Sequence, residues 1–286
     1  KPKPVVHVHP DKNVFSGEKV SLTCDIQQTR DWGYIWNKDG QSFGSVERDQ
    51  NYIISSVDSR YDGVYTCYGS QSEAPQYSES SDGVKLTVSD LPTSTVTVTP
   101  NNPVFTGETV NMKCEIKSDH SNWRYEWYKG NRYNPMLQMS DHYTVNRDTL
   151  TIRGATESDQ DYYWCKGQRD GRPKSSHFSS VVDLTVKDLP TSTVTVTPNN
   201  PVFTGETVSL KCEIKSDHSD WRYEWYKGNT NNRVMLQTSD HYTVNRDTLN
   251  IAKAISTDAG QYWCKGQIDE RPQSSHFSSA VDLTVK

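Results

Sequence analysis

Twenty residues, LPTSTVTVTPNNPVFTGETV at 91–110, recur unchanged at 189–208. The copy continues past them. EIKSDHS occupies 115–121 and 213–219, WRYEWYKGN 123–131 and 221–229, and SDHYTVNRDTL 140–150 and 239–249. A period of 98 residues is too long for a solenoid repeat and matches a whole domain duplicated in tandem. The first 90 residues follow the same plan more loosely: VFSGEKVSLTC at 14–24 parallels VFTGETVSLKC at 202–212. The chain therefore divides into three domains, 1–90, 91–188 and 189–286. The junctions Ser89-Asp90-Leu91-Pro92 and Lys187-Asp188-Leu189-Pro190 are short. Each proline holds the residue before it extended, which predicts stiff elbows.

Inside each unit the hydrophobic period is two. Val20, Leu22 and Cys24 alternate with Ser21 and Thr23; Val208, Leu210 and Cys212 repeat the pattern. Such alternation marks antiparallel strands with one buried face. Turn clusters such as Pro100-Asn101-Asn102-Pro103 separate them. Short strands and turns over about 95 residues give an all-β sandwich.

The six cysteines, at 24, 67, 114, 165, 212 and 264, include no CxxC pair, so zinc ribbons and dithiol redox sites have no support. An even count at regular intervals reads as structural disulfides made in an oxidising compartment, with about 15 pairings open in principle. A tryptophan follows each first cysteine (Trp36, Trp127, Trp225), and a tyrosine lies two residues before each second one (Tyr65, Tyr163, Tyr262). This is the Cys…Trp…Tyr-x-Cys signature of immunoglobulin-like sandwiches. It implies Cys24–Cys67, Cys114–Cys165 and Cys212–Cys264, one inter-sheet disulfide per domain. The short spacing between paired cysteines leaves no room for extra edge strands, so the three tandem domains are expected to be C2- or I-like. Trp32, Trp123 and Trp221, four before the core tryptophans, fall on the same inward face and are expected to cap the core. Trp164 and Trp263 should face outward, either covering an elbow or a domain contact or packing under arginine stems such as Arg124 and Arg222.

The segments KPVVHVHPDKNVFSGEKVSLTC, VTVTPNNPVFTGETV and WRYEWYKG resemble the Fc receptor-like branch of the immunoglobulin superfamily, above all the fish Fc receptor-like and leukocyte immune-type receptors. The resemblance covers all three domains. It implies the ectodomain of a leukocyte receptor, on the extracellular side of the plasma membrane, that binds a protein ligand. Immunoglobulin Fc through domains 1 and 2 leads. An MHC class I-like molecule at the domain 1–2 elbow around Leu91 and Pro92 is the alternative, and homophilic adhesion by domains 2 and 3 a third. Glu115, Ile116 and Lys117 stand where mammalian Fc receptors carry a tryptophan soon after the first cysteine. No apolar run is long enough to span a bilayer and Lys1-Pro2-Lys3-Pro4 is not a secretory leader, so membrane contact is expected only through a segment missing from this sequence.

The duplication also points to candidate contact residues. In domain 2 these are Asp119, His120 and Asn122 in the B–C loop, Arg132 and Tyr133 after strand C, and Arg169, Asp170, Arg172 and Lys174 in the F–G loop, expected to cluster at one end of the sandwich. In domain 3, Thr230 and Asn231 replace Arg132 and Tyr133, and Ile268, Glu270 and Gln273 replace Arg169, Gly171 and Lys174. The basic tip of domain 2 thus predicts a ligand-binding role beside an acidic domain 1, which carries 9 basic and 13 acidic residues. The recurring His120, His142 and His177 follow from the duplication and are expected to be structural. No motif of a nucleophile elbow, a zinc protease or a phosphate-binding loop occurs, and every cysteine is assigned, so no enzyme and no cofactor are expected. A formal net charge of −5 rules out a polybasic nucleic-acid binder. The chain carries no Asn-x-Ser/Thr sequon, which leaves sandwich faces open for weak self-association.

Overall fold

Alternating burial along each strand builds the fold, seen here in a computed structural model that describes residues 1–28, 31–136 and 139–286. In the first sandwich the strands are β1 (Val5–His9), β2 (Asn13–Phe15), β3 (Val20–Asp25), β4 (Gly33–Lys38), β5 (Gln41–Glu47), β6 (Asn51–Ile54), β7 (Gly63–Ser70) and β8 (Val84–Ser89). One sheet has the order β1-β3-β6 and the other β2-β8-β7-β4-β5. All pairings are antiparallel except β2 against β8.

The second sandwich is built from β9 (Thr93–Thr99), β10 (Val104–Phe105), β11 (Val110–Lys117), β12 (Arg124–Lys129), β13 (Tyr143–Asn146), β14 (Thr149–Ile152), β15 (Asp161–Gln168), β16 (Val182–Leu184) and β17 (Val186–Lys187). Its sheets run β13-β14-β11-β9 and β12-β15-β16, with β10 parallel to β17. The third has β18 (Ser192–Thr197), β19 (Val208–Ile214), β20 (Arg222–Asn229), β21 (Asn232–Leu236), β22 (Tyr242–Asn245), β23 (Thr248–Ile251), β24 (Gly260–Gln267) and β25 (Val281–Leu283), in sheets β18-β19-β23-β22 and β21-β20-β24-β25.

Each pair of sheets encloses its own core. The disulfides are Cys24–Cys67, Cys114–Cys165 and Cys212–Cys264. Trp36, Trp127 and Trp225 sit opposite Cys67, Cys165 and Cys264 on the neighbouring strand and are at most 3% exposed. A small sandwich has little apolar area to bury, so the bulky indole and the cross-link together supply what its short strands do not. The tyrosine before each second cysteine donates to a backbone carbonyl four residues upstream: Tyr65 to Tyr61 at 2.7 Å, Tyr163 to Asp159 at 2.6 Å and Tyr262 to Asp258 at 2.7 Å. That bond satisfies a buried hydroxyl and fixes the corner where the chain enters β7, β15 or β24.

The second tryptophan of each domain closes one end of the core. Trp32 and Trp221 are buried and Trp123 is half-buried. Each lies over a glycine of the neighbouring strand. A Cβ on Gly69, Gly167 or Gly266 would come within 2.8, 2.7 and 2.7 Å of the indole of Trp32, Trp123 and Trp221. The outward-facing Trp164 and Trp263 carry different arginines from those expected. Arg132 lies 6.0 Å from the Trp164 ring and 5.5 Å from Phe178, and Arg233 lies 4.9 Å from Trp263 and 4.3 Å from Phe277. Arg124 and Arg222 instead pair with Asp170 and Asp269 at the F–G tips.

Candidate functional site

The F–G tips share one backbone design. Each is a six-residue turn closed by one hydrogen bond, Gln71 N to Gln76 O, Arg169 N to Lys174 O and Ile268 N to Gln273 O, all 2.8–2.9 Å. The fourth residue of the tip is Ala74 in domain 1, Arg172 in domain 2 and Arg271 in domain 3. These arginines are not free. Arg172 donates to both carboxylate oxygens of Glu18 in domain 1, at 2.7 and 2.9 Å, and to the carbonyl of Asn13 at 2.8 Å. Its guanidinium lies 6.0 Å from the Phe15 ring. Arg271 repeats the contact one domain on, reaching Glu108 at 2.8 and 2.7 Å, with Phe105 at 5.4 Å.

The receiving turn is equally conserved between the repeats in form. In Phe15-Ser16-Gly17-Glu18 the Glu18 side chain accepts from its own Phe15 amide at 2.8 Å, which aims the carboxylate before any partner arrives. Burial disfavours the charged form of Glu18, but the Arg172 guanidinium and the Phe15 amide outweigh it and hold the carboxyl below its ordinary range. Each junction is held as well. His177 Nε2 donates to Asp90 at 2.7 Å and its amide to Pro92 O at 2.8 Å; His276 treats Asp188 and Pro190 the same way at 2.6 and 2.9 Å. The elbows are therefore built by ion pairs and backbone bonds as well as by proline.

This geometry redistributes the predicted contact residues. The B–C and F–G loops of domain 2 do share an end, where Arg169 stacks 5.6 Å from Trp123. That end faces domain 1: His120 meets the Phe15 ring edge-on at 6.4 Å. Asp119 and Asn122 are exposed beside it, and Asp170 pairs with Arg124 at 3.2 Å. Arg132 and Tyr133 do not join them. They follow the far end of β12, where Gly130 bonds to Tyr162, so they lie at the opposite end of the sandwich. Tyr133 is 89% exposed there. Topology explains the difference: one strand separates the B–C loop from the turn after strand C, and a strand carries the chain from one end to the other.

A cleft of about 760 Å³ opens at the first elbow. Leu91, Arg172 and Lys174, all singled out from the sequence, line it together with His9, Phe15 and Ile53 of domain 1. Pro92, also singled out, does not line it; its carbonyl accepts from the His177 amide. The sequence reading passed over the domain 1 wall, since Ile53 looks like an ordinary strand residue; it is 50% exposed. The second elbow has a smaller counterpart of about 550 Å³ with Phe105, Leu189, Arg271 and Gln273. By strand register Ile53, opposite Ser21, corresponds to Thr151, opposite Asn111. Thr151 donates to Asn111 Oδ1 at 2.7 Å, and neither residue lines the second cleft. The two elbows thus share a framework and differ at several positions: Lys19 against Thr109, Ser16 against Thr106 and Lys174 against Gln273 in the linings, and Ile53, which lines the first cleft, against Thr151, which does not line the second. Among the described residues no group of three His, Cys, Asp or Glu is placed to hold a metal ion.

The immunoglobulin-domain family matches residues 3–88, 93–168 and 192–267. Over 282 residues the chain is 22% identical to Fc receptor-like protein 2 of Homo sapiens, covering 96% of this chain and 53% of that one. It is 31% identical over 126 residues to natural cytotoxicity triggering receptor 1 of Rattus norvegicus, covering 41% of this chain and 38% of the other. It thus spans about half or less of the length of these curated relatives. Among solved structures, a three-domain fragment of titin aligns over 100% of this chain and 96% of its own, at 22% identity and a TM-score of 0.39. The chain belongs to the immunoglobulin-domain family.

Proposed function

We propose that these domains are the extracellular part of a leukocyte cell-surface receptor of the fish Fc receptor-like kind, and that the first elbow binds immunoglobulin Fc. The observation that carries the proposal is the contrast between the elbows. Domain 3 repeats domain 2 almost residue for residue, yet the first elbow alone combines an exposed isoleucine with a lysine on its rim. An apolar floor with a cationic rim is the composition of a protein-binding site, because the floor supplies burial and the rim orients an acidic partner. Similarity to Fc receptor-like protein 2 over nearly the whole chain supports the receptor class.

The test removes the isoleucine and the F–G lysine that distinguish the first elbow. Purified immunoglobulins of each class are passed over the immobilised chain and over the variant Ile53→Thr with Lys174→Gln. The proposal expects capture by the parent and its loss in the variant, with Thr151 and Gln273 substitutions at the second elbow without effect. Capture that survives the double substitution, or no capture of any class, overturns it. If the variant instead loses class I-like molecules, the elbow is the site and the ligand is the alternative.

A further inference from the structure

The receiving turn occurs three times, and only two copies are occupied. Domain 3 carries Phe203-Thr204-Gly205-Glu206 where domains 1 and 2 carry Phe15-Ser16-Gly17-Glu18 and Phe105-Thr106-Gly107-Glu108. Its carboxylate is aimed in the same way, accepting from the Phe203 amide at 2.8 Å. Gly205 has a φ of 91°, matching 90° at Gly17 and 89° at Gly107, so the turn holds one backbone form in all three domains. What differs is cover. Phe15 and Phe105 are half-buried beneath an arginine, while Phe203 is 55% exposed.

We infer that Phe203 and Glu206 form a docking face for one further immunoglobulin domain, joined in line, whose F–G tip carries an Arg-Pro dipeptide like Arg172-Pro173 and Arg271-Pro272. Two internal precedents define the occupant chemically: a guanidinium that bridges the two carboxylate oxygens and lies over the phenyl ring. Only arginine makes both contacts, because its planar fork matches the carboxylate and its face stacks on the ring. A second copy of this chain offers no free plug. Its Arg172 and Arg271 are engaged within the molecule, and its domain 1 tip presents Ala74 at the same position. A single guanidinium–carboxylate contact is also far too small to join two free molecules, whereas a covalent junction supplies it at high effective concentration.

The experiment extends the full chain. Residues 188–286 are repeated after Lys286, which takes the place of Lys187 at the new junction, and spin labels report the distance between domain 3 and the appended domain. The inference expects a narrow distance distribution like that between domains 2 and 3. Glu206→Ala abolishes the narrow peak, and so does Arg271→Ala placed only in the appended copy, a variant that leaves domain 3 itself untouched. A broad distribution in the parent fusion overturns the inference. So does a narrow peak that survives both substitutions while Glu108→Ala broadens the elbow between domains 2 and 3. Concentration-dependent dimers of the three-domain chain that Glu206→Ala dissolves would make a second copy the occupant and overturn it as well.

Discussion

Arg172 and Glu18 lie 154 residues apart in sequence and form a bidentate ion pair across the first elbow, at 2.7 and 2.9 Å. Both side chains are less than a third exposed, 29% and 22%, so the pair is stronger than a typical surface bridge. Removing either partner should weaken docking of domain 1 on domain 2 by about 1–2 kcal/mol. The melting of each domain should be almost unchanged. Interdomain distances in Arg172→Ala and Glu18→Ala, and the coupling between them in a double-mutant cycle, check this. The folded carboxyl of Glu18 titrates below its ordinary value, so its contribution is present above about pH 4.5, the unfolded value. It is lost as pH falls through the folded value. The elbow should therefore loosen in acid while the domains remain folded.

A second acid response is internal to domains 2 and 3. Asp159 and Asp258 are buried, 0% and 1% exposed. Asp159 accepts from His142 Nε2 at 2.8 Å, from Tyr143 Oη and from the Thr156 amide at 2.9 Å; Asp258 accepts from His241 at 2.7 Å, Tyr242 at 2.9 Å and the Ile255 amide at 2.9 Å. Burial opposes the charge, yet these donors hold both carboxyls below the usual range. Their stabilisation is present above the unfolded pKa of about 3.8 and is lost as pH falls through the folded value. Domain 1 has Tyr61 at this position, and the carboxylates of its corner, Asp58 and Asp62, are partly exposed rather than buried. Domain 1 should thus keep its cooperative melt at a pH where domains 2 and 3 have lost theirs. Asp159→Asn should cost domain 2 about 2–3 kcal/mol at neutral pH, since it leaves donors facing a weaker acceptor. Calorimetry at pH 7 and pH 3 separates these outcomes.

The sandwich was legible because period-two burial and the Cys–Trp–Tyr-x-Cys spacing are local signals repeated three times. The elbow was not, because its two halves lie more than 150 residues apart and no local pattern reports on Glu18. Reading Arg172 as a free ligand contact followed from that gap. One clue was available: Phe-x-Gly-Glu stands three times and Arg-Pro twice, one step out of phase, as expected of a socket and a plug on successive domains. The replacement of Arg132 by Thr230 misled for a different reason. Residue-by-residue alignment hides a function that has moved, here to Arg233, three positions further along the turn.

The glycines beneath the capping tryptophans should resist substitution. Gly167→Ala brings a methyl within 2.7 Å of Trp123 and also against Ile116, and two walls cannot both retreat. Overpacking of this kind typically costs about 1–3 kcal/mol. Chemical denaturation should show that loss for Gly167→Ala and for Gly266→Ala, and Trp123→Leu should recover part of the first by making room. Gly171→Ala is the control: the neighbour it meets is the Arg169 guanidinium, the end of a flexible side chain, so it should change stability by less than about 0.5 kcal/mol.

The face that carries Trp164 and Trp263 should prove structural. Arg233 lies between Trp263 and Phe277, with Lys265 5.0 Å from the same phenyl ring, and its Nε is buried with no hydrogen-bond partner among the described residues. What holds it is the aromatic surface, where a partly desolvated guanidinium gains about 1–2 kcal/mol. Arg233→Ala should destabilise domain 3 by about that amount, and Arg233→Lys should restore less than half, because an ammonium cannot stack as a plane. Arg132→Ala should destabilise domain 2 less, its rings being 5.5 and 6.0 Å away. Because Arg132 leans on its own sheet at the end remote from the first elbow, its removal should leave ligand capture unchanged while Ile53→Thr with Lys174→Gln removes it. Loss of capture with Arg132→Ala would move the binding surface from the elbow to the opposite end of domain 2, where Tyr133 is exposed.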